Sequence, residues 1–359
     1  MNKKIIFSTG GTGGHILPAV NLMKHYFDKG YKVILVTDNR GKKFIEKYSQ
    51  FTSYIIKTDT PTNKSFIKKI FSLILIFYSI IKSFFILKNE KPDVIFGFGG
   101  YVSFPICFVS KFFKIPLVIY ENNVIFGRAN KFLLPFSKKI LIAKKIKISF
   151  PEKYKKKVFE VGAILSKKFI DYSYSEKKDN KRNFSILVLG GSQGAEIFGT
   201  VVPSVIKMLK EHFEKIEVIQ QCVKNQKNSI IDFYNKNKIK NYVFEFEENI
   251  LELIASSDIA ITRSGASTTS ELIHTFTPFI AVPLQNSIDN HQYLNAKYYE
   301  NIGCCFVLEQ NNFNQKNLFN LIMENIENKN KLETIKENMK KYYDKNVYLN
   351  IENQIKELI

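Results

Sequence analysis

A chain of 359 residues with 45% hydrophobic content is long enough for two domains of ordinary size, each with its own core. Its 53 Lys and Arg against 33 Asp and Glu leave a formal charge of +20, which suits anionic partners such as phosphorylated metabolites or an anionic membrane face. The lysines are scattered and not interleaved with aromatics, so no nucleic-acid partner is expected. The four cysteines and five histidines make no metal-ligand spacing, so neither a metal nor another cofactor is expected. The N-terminus leads straight into an apolar strand and reads as lacking a signal peptide.

Lys4–Ser8 reads as a buried strand, followed by the turn Gly10-Gly-Thr-Gly-Gly-His15, a helix to about Lys29, and a second strand over 31–37. Strand, glycine-rich turn, helix, strand is the opening of a doubly wound α/β domain. The turn is neither GxGxxG nor a P-loop, yet four glycines let the backbone pass close to a ligand. His15 stands where ligands of such sheets bind, so a general base and a structural histidine are both open. Over 64–88, ten Phe, Ile and Tyr residues recur at helical spacing, with Lys68, Ser72, Ser79 and Lys82 on another face. The uncharged run between Lys69 and Lys82 would be about 18 Å of helix, short of a bilayer core of about 30 Å. It is either a core helix or one that docks shallowly on a membrane, with Lys64, Lys68, Lys69, Lys82 and Lys88 meeting lipid phosphates. Residues 92–105 form another strand running into a glycine-rich turn and helix. The strand 115–120 ends in Glu121-Asn-Asn123, where Asn123 could both donate to and accept from a sugar hydroxyl. Two short strands, 138–143 and 158–161, precede a polar linker over 166–183.

A second α/β plan starts with the strand 184–189 and the turn Gly190-Gly-Ser-Gln-Gly-Ala195. Strands follow over 216–220 and 242–246, then a helix over 250–256 and the strand 259–261. Arg263 closes that strand, Ser264-Gly-Ala266 turns, and Ser267-Thr-Thr-Ser270 opens a helix. A helix start offers unpaired N–H groups and a positive dipole end, which suits a diphosphate. Glu271, one turn in, is placed to accept from a sugar diol. A polar loop over 283–292 and a charged helical end from Asn314 complete the chain. The expected domains are 1–165, a linker 166–183, 184–340, and a helical tail 341–359. The expected fold is α/β of GT-B type: two doubly wound Rossmann-like domains whose glycine turns face a cleft.

Six motifs come in the order and spacing of the MurG family of peptidoglycan glycosyltransferases, over nearly the whole chain. They are Gly10-Gly-Thr-Gly-Gly-His15, Gly97-Phe-Gly-Gly-Tyr-Val-Ser103, Glu121 with Asn123, Gly190-Gly-Ser-Gln-Gly-Ala195, Arg263-Ser-Gly-Ala266 with Ser270-Glu271, and Asp289-Asn-His-Gln292 with Asn295-Ala296. The resemblance implies inverting, metal-independent transfer of GlcNAc from UDP-GlcNAc to O4 of the muramoyl sugar of lipid I. It also implies a peripheral position on the cytoplasmic side of the plasma or inner membrane. Thr12, Gly13 and Gly14 would contact the donor, and Asn123 the donor sugar. Ser192, with Gln193 beside it, would approach the diphosphate. Ala266, Ser267, Thr268, Thr269, Ser270 and Glu271 would hold diphosphate and ribose, Gln292 the transferred sugar, and Arg263 would supply a cation. Glu247 would meet uracil through its backbone. His15 is the candidate base. Where the family usually has His, Gly and Arg, this chain has Tyr120, Phe104 and Ser166.

Overall fold

Apolar runs such as Ile5-Ile-Phe7 and Val94-Ile-Phe96 are buried without alternation, the pattern of parallel strands covered on both faces. The computed structural model describes residues 3–46, 48, 50–59, 65–144, 151–174, 183–191, 194–213 and 215–359. They divide into two units, Met1–Ser166 with Asn346–Ile359, and Lys167–Lys345.

In the first unit, β1 (Lys4–Ser8), α1 (Gly13–Asp28), β2 (Lys32–Thr37), α2 (Asn39–Ile45), β3 (Thr52–Ile55), α3 (Phe66–Glu90) and β4 (Val94–Gly97) come first. They are followed by α4 (Ser103–Val109), β5 (Leu117–Glu121), α5 (Arg128–Leu133), β6 (Lys139–Ile142) and β7 (Val158–Glu160). The sheet runs β3-β2-β1-β4-β5-β6-β7, all parallel. The strand order reverses between β1 and β4, and the loops leaving those two strands are the two glycine turns. Such a reversal is where open α/β sheets bind ligands.

The second unit holds α6 (Lys167–Ile170), β8 (Phe184–Leu189), α7 (Glu196–His212), β9 (Ile216–Gln221), α8 (Lys227–Lys236), β10 (Lys240–Phe244) and α9 (Ile250–Ser256). Then come β11 (Ile259–Thr262), α10 (Ala266–His274), β12 (Phe279–Ala281), α11 (His291–Asn301), β13 (Phe306–Val307), α12 (Gln315–Glu327) and α13 (Lys329–Lys340). Its parallel sheet, β10-β9-β8-β11-β12-β13, reverses between β8 and β11, again at a glycine turn and at the Arg263 turn.

Two expected boundaries change. The start of the linker is the short helix α6, whose Phe169 and Ile170 are buried; residues 175–182 of the linker lie outside the described residues. The expected tail is not set apart either. The last helix, α14 (Val347–Ile355), belongs with the first unit. Tyr348 donates its hydroxyl to Leu165 O at 2.5 Å, and Glu352 pairs with His25 and Lys29 of α1. Ile351 and Ile355 on the same helix are fully buried. Ile351→Ala is expected to cost about 2–5 kcal/mol, read as a lower midpoint of urea unfolding.

Candidate active site

At the switch point of the first unit the two glycine turns touch backbone to backbone. Gly10 N–H donates to Gly99 O at 3.0 Å, and a side chain on Gly100, which has φ +78°, would come within 2.9 Å of Gly10 Cα. Gly11 is equally constrained, because a side chain there would strike Asp38 and Arg40. Above Gly14, by contrast, a side chain would meet nothing within 4 Å, so the first turn of α1 is open. Thr12 is exposed and precedes α1 without a side-chain cap. His15 is half-buried and lies beside Gly99.

Glu121 organises the neighbouring loop. It is 1% exposed at the carboxyl end of β5, and its two oxygens accept four N–H bonds. Asn123 N and Nδ2 donate to Oε1 at 3.1 Å each, Gly127 N to Oε2 at 3.0 Å, and Asn130 Nδ2 to Oε2 at 2.9 Å. A carboxylate bound this way fixes Asn123 with its amide nitrogen turned toward the protein. The buried hydroxyl of Tyr120 accepts from Ile164 N at 3.0 Å and donates toward Asn122 Oδ1 and Gly162 O. Phe104 lies along α4 and stacks on Phe108, with ring centroids 5.6 Å apart. Lys144, just past β6, was not singled out from the sequence; it is buried, and burial pushes its amine down to about 7.

In the second unit, Arg263 N–H donates to Leu189 O, and Gly190 N–H donates to Gln221 Oε1, so the two turns leave the sheet side by side. The Arg263 side chain does not point to solvent. It is 8% exposed, donates to Val282 O at 3.1 Å and sits 5.0 Å from the centre of the Phe198 ring. Burial lowers its pKa to about 10, which leaves it charged as a brace behind the turns. The helix α10 starts at Ala266 with no side-chain cap and no acidic residue in its first turn. Thr269 and Ser270 donate their hydroxyls to Gly265 O and Ala266 O, so those two side chains serve the helix itself. Ser267 and Thr268 stay half-exposed at its mouth. Ser192 and Gln193 lie outside the described residues.

Gln292 is held from two sides. Its backbone O accepts from Ser264 Oγ at 2.8 Å, and its Oε1 accepts from Leu284 N at 3.0 Å. Asn295 donates to Ser264 O and ties α11 to the Arg263 turn. Among the described residues no group of three or more His, Cys, Asp or Glu side chains could hold a metal ion.

The helix α3 is 25 residues of mean hydropathy 2.3 over its most apolar window, enough to cross a bilayer by length and composition alone. Its packing is inverted relative to a core helix. Ser72, Ser79 and Ser83 are fully buried, while Phe66, Ile67, Phe71, Ile74, Phe77 and Phe85 are each more than half exposed. Ser72 donates to Asp59 Oδ2 at 3.0 Å and Ser79 to Lys57 O at 2.7 Å. Lys82, expected to meet lipid phosphate, instead donates to Ile55 O at 2.8 Å, whereas Lys68, Lys69 and Lys88 are exposed. Lys64 lies outside the described residues.

Two doubly wound parallel sheets with glycine turns at their switch points define a GT-B glycosyltransferase scaffold. The glycosyltransferase family 28 N-terminal domain matches residues 5–142 and the family 28 C-terminal domain residues 185–352. The chain therefore belongs to glycosyltransferase family 28. It is 35% identical, over 98% of its length and 97% of the relative's, to the UDP-N-acetylglucosamine–N-acetylmuramyl-(pentapeptide) pyrophosphoryl-undecaprenol N-acetylglucosamine transferase of Pelagibacter ubique (strain HTCC1062). It is 36% identical to the transferase of the same name from Rickettsia canadensis (strain McKiel), over 94% of this chain and 95% of the relative. The crystal structure of Acinetobacter baumannii MurG superposes with a TM-score of 0.80 at 23% identity, covering 99% of both chains.

The Glu271 carboxyl is crowded by protein, and burial pushes it from 4.5 up to about 7. A raised carboxyl pKa means the folded chain keeps a proton that the unfolded chain has lost. That contribution to stability is whole below about 4.5 and is lost as pH rises through about 7. Glu271→Gln is therefore expected to gain stability relative to the parent chain as pH rises across this window. Urea unfolding of both chains at stepped pH checks it, and a difference independent of pH would contradict the raised carboxyl pKa.

Proposed function

We propose that the chain transfers GlcNAc from UDP-GlcNAc to O4 of the muramoyl sugar of lipid I, giving lipid II and UDP, with inversion and without a metal ion. The observation that carries this reading is 35% identity across 98% of the chain to a transferase named for that donor and acceptor. The second unit takes the donor and the first unit the acceptor. The acceptor hydroxyl loses its proton to His15 as its oxygen bonds to the anomeric carbon, and the bond from that carbon to the diphosphate breaks on the opposite face. The charge that develops on the departing diphosphate is met by the uncapped N–H groups at the start of α10, which need not move. Glu271 accepts from the ribose hydroxyls, and the NH2 of Gln292 donates to a hydroxyl of the transferred sugar. Thr12, Gly13, Gly14 and Asn123 complete the sugar's surroundings.

The same reading places the protein on the cytoplasmic face of the plasma or inner membrane, as a peripheral protein. The apolar face of α3 would enter the headgroup boundary, with Lys68, Lys69 and Lys88 against lipid phosphates. This position brings the first unit to the polyprenyl-linked acceptor.

Labelled UDP-GlcNAc incubated with a short-chain lipid I analogue, and separately with diacylglycerol, tests the reaction. Label should pass only to the lipid I analogue and should do so in the presence of EDTA; transfer to diacylglycerol or loss of turnover in EDTA would count against the proposal. Glu271→Ala should raise the donor KM about 10- to 100-fold, the worth of a hydrogen bond to a charged group. His15→Ala should instead lower kcat by about 10²- to 10⁴-fold. Ile74→Glu combined with Phe77→Glu, both at exposed positions, should release the folded protein from anionic vesicles in a flotation assay.

A further inference from the structure

One buried charge in the second unit has no opposite charge to meet. Arg263 is 8% exposed, and the groups that hold it are neutral. Its Nη1 donates to Val282 O at 3.1 Å, and its guanidinium carbon lies 5.0 Å from the centre of the Phe198 ring. Among the described residues no carboxylate forms an ion pair with it. Burial alone lowers its pKa, and no acid raises it again. The first turn of α10 carries no acidic residue, and Glu196, the acid in the first turn of α7, is exposed. A buried cation without an anion destabilises the fold that holds it, and an apolar side chain of similar size often does no worse in its place.

The charge stands where the loops of the switch point meet. A Cβ built on Gly191, which has φ +80°, would lie 4.0 Å from Arg263 Cβ, so the side chain leaves the backbone beside the Gly190 turn. Arg263 N–H donates to Leu189 O, and Val282 N–H donates to Thr262 O at 2.7 Å. The loops leaving β8, β11 and β12 therefore converge on one guanidinium. The helix α10 begins just beyond it, at Ala266, with no side-chain cap, which adds the positive end of a helix dipole. Two positive features lie together, and among the described residues no anion of the protein answers them.

We propose that the counter-ion of Arg263 is the diphosphate of the nucleotide, which the guanidinium favours through space, from behind the turn, without touching it. Arg263 is then a positioning residue whose charge destabilises the free chain and stabilises the liganded one. The inference rests on the second unit taking a uridine diphosphate at the start of α10, as proposed above; it does not require transfer to lipid I.

Arg263→Met removes the charge and keeps most of the packing, whereas Arg263→Lys keeps the charge and gives up the planar fork. Urea unfolding of each full chain, with and without UDP, and calorimetric titration with UDP at stepped salt test the proposal. The free Arg263→Met chain should unfold at a urea midpoint no lower than that of the parent. Its Kd for UDP should rise about 10- to 100-fold, the scale of one unit charge acting on an anion in a partly screened interior, and should depend less on salt. Arg263→Lys should bind UDP within about threefold of the parent, because the charge remains. A purely structural brace predicts the reverse pattern, with the free Arg263→Met chain destabilised and both variants binding UDP equally poorly. That pattern, failure of Arg263→Met to fold by circular dichroism, or unchanged UDP binding in Arg263→Met overturns the proposal. A parent chain that binds no UDP refutes the donor assignment and the inference with it. The expected pattern in a chain that transfers nothing to lipid I upholds the inference and refutes the assigned reaction alone.

Discussion

Gly10 and Gly100 meet with no side chain between them, and the first unit's site depends on that contact. It brings together the loops that leave β1 and β4, the two strands between which the sheet order reverses. A methyl group at either position would push the turns apart. The cost of this geometry is backbone entropy at several glycines, which the parallel core beneath offsets. Ile5, Ile6, Phe7, Ile95 and Phe96 are all fully buried under the turns.

The second unit solves a related problem with different parts. Its turns are braced by Arg263 from behind, through Val282 O and the Phe198 ring, so a full positive charge is used for support. Among the described groups, the start of α10, with half-exposed Ser267 and Thr268, is not spent on holding the turn together. Amide N–H groups held in this way are dipoles already oriented before an anion arrives. Their stabilisation of a developing charge therefore carries little reorganisation cost. Most of the polar side chains in this region hold other parts of the protein. Thr269, Ser270, Ser264 and Asn295 all spend hydrogen bonds on backbone carbonyls.

The sequence disclosed the sheets and the glycine turns because those features are local. An apolar run ending in Gly-Gly has few other readings, and the strands named above lie within two residues of where they were expected, β10 beginning two residues earlier and β5 two later. The short strand β3 and the helices α2 and α8 were not singled out. In α8 only Ile230 and Tyr234 are buried, so its polar surface hides the period. Side-chain roles were legible only where they follow from position along the chain. The four bonds of Glu121 depend on loops brought together by folding, which spacing does not encode. Arg263 looked like a ligand cation for the same reason, since its retreat behind the turn is set by Phe198, 65 positions earlier. The end of the chain misled through its charge: α14 carries a narrow apolar face that spends itself on the first unit.

On α3 the usual division of labour is reversed. The serines hold the helix to the protein by hydrogen bonds, Ile86 and Leu87 near its end join the core, and Phe66, Ile67, Phe71, Ile74, Phe77 and Phe85 stay outside it. The exposed apolar residues are thereby separated from the residues that hold the helix to the protein. Substitutions on that outer face can therefore change what the helix meets while the fold's stability stays put, because the bonds that anchor the helix lie on its other side.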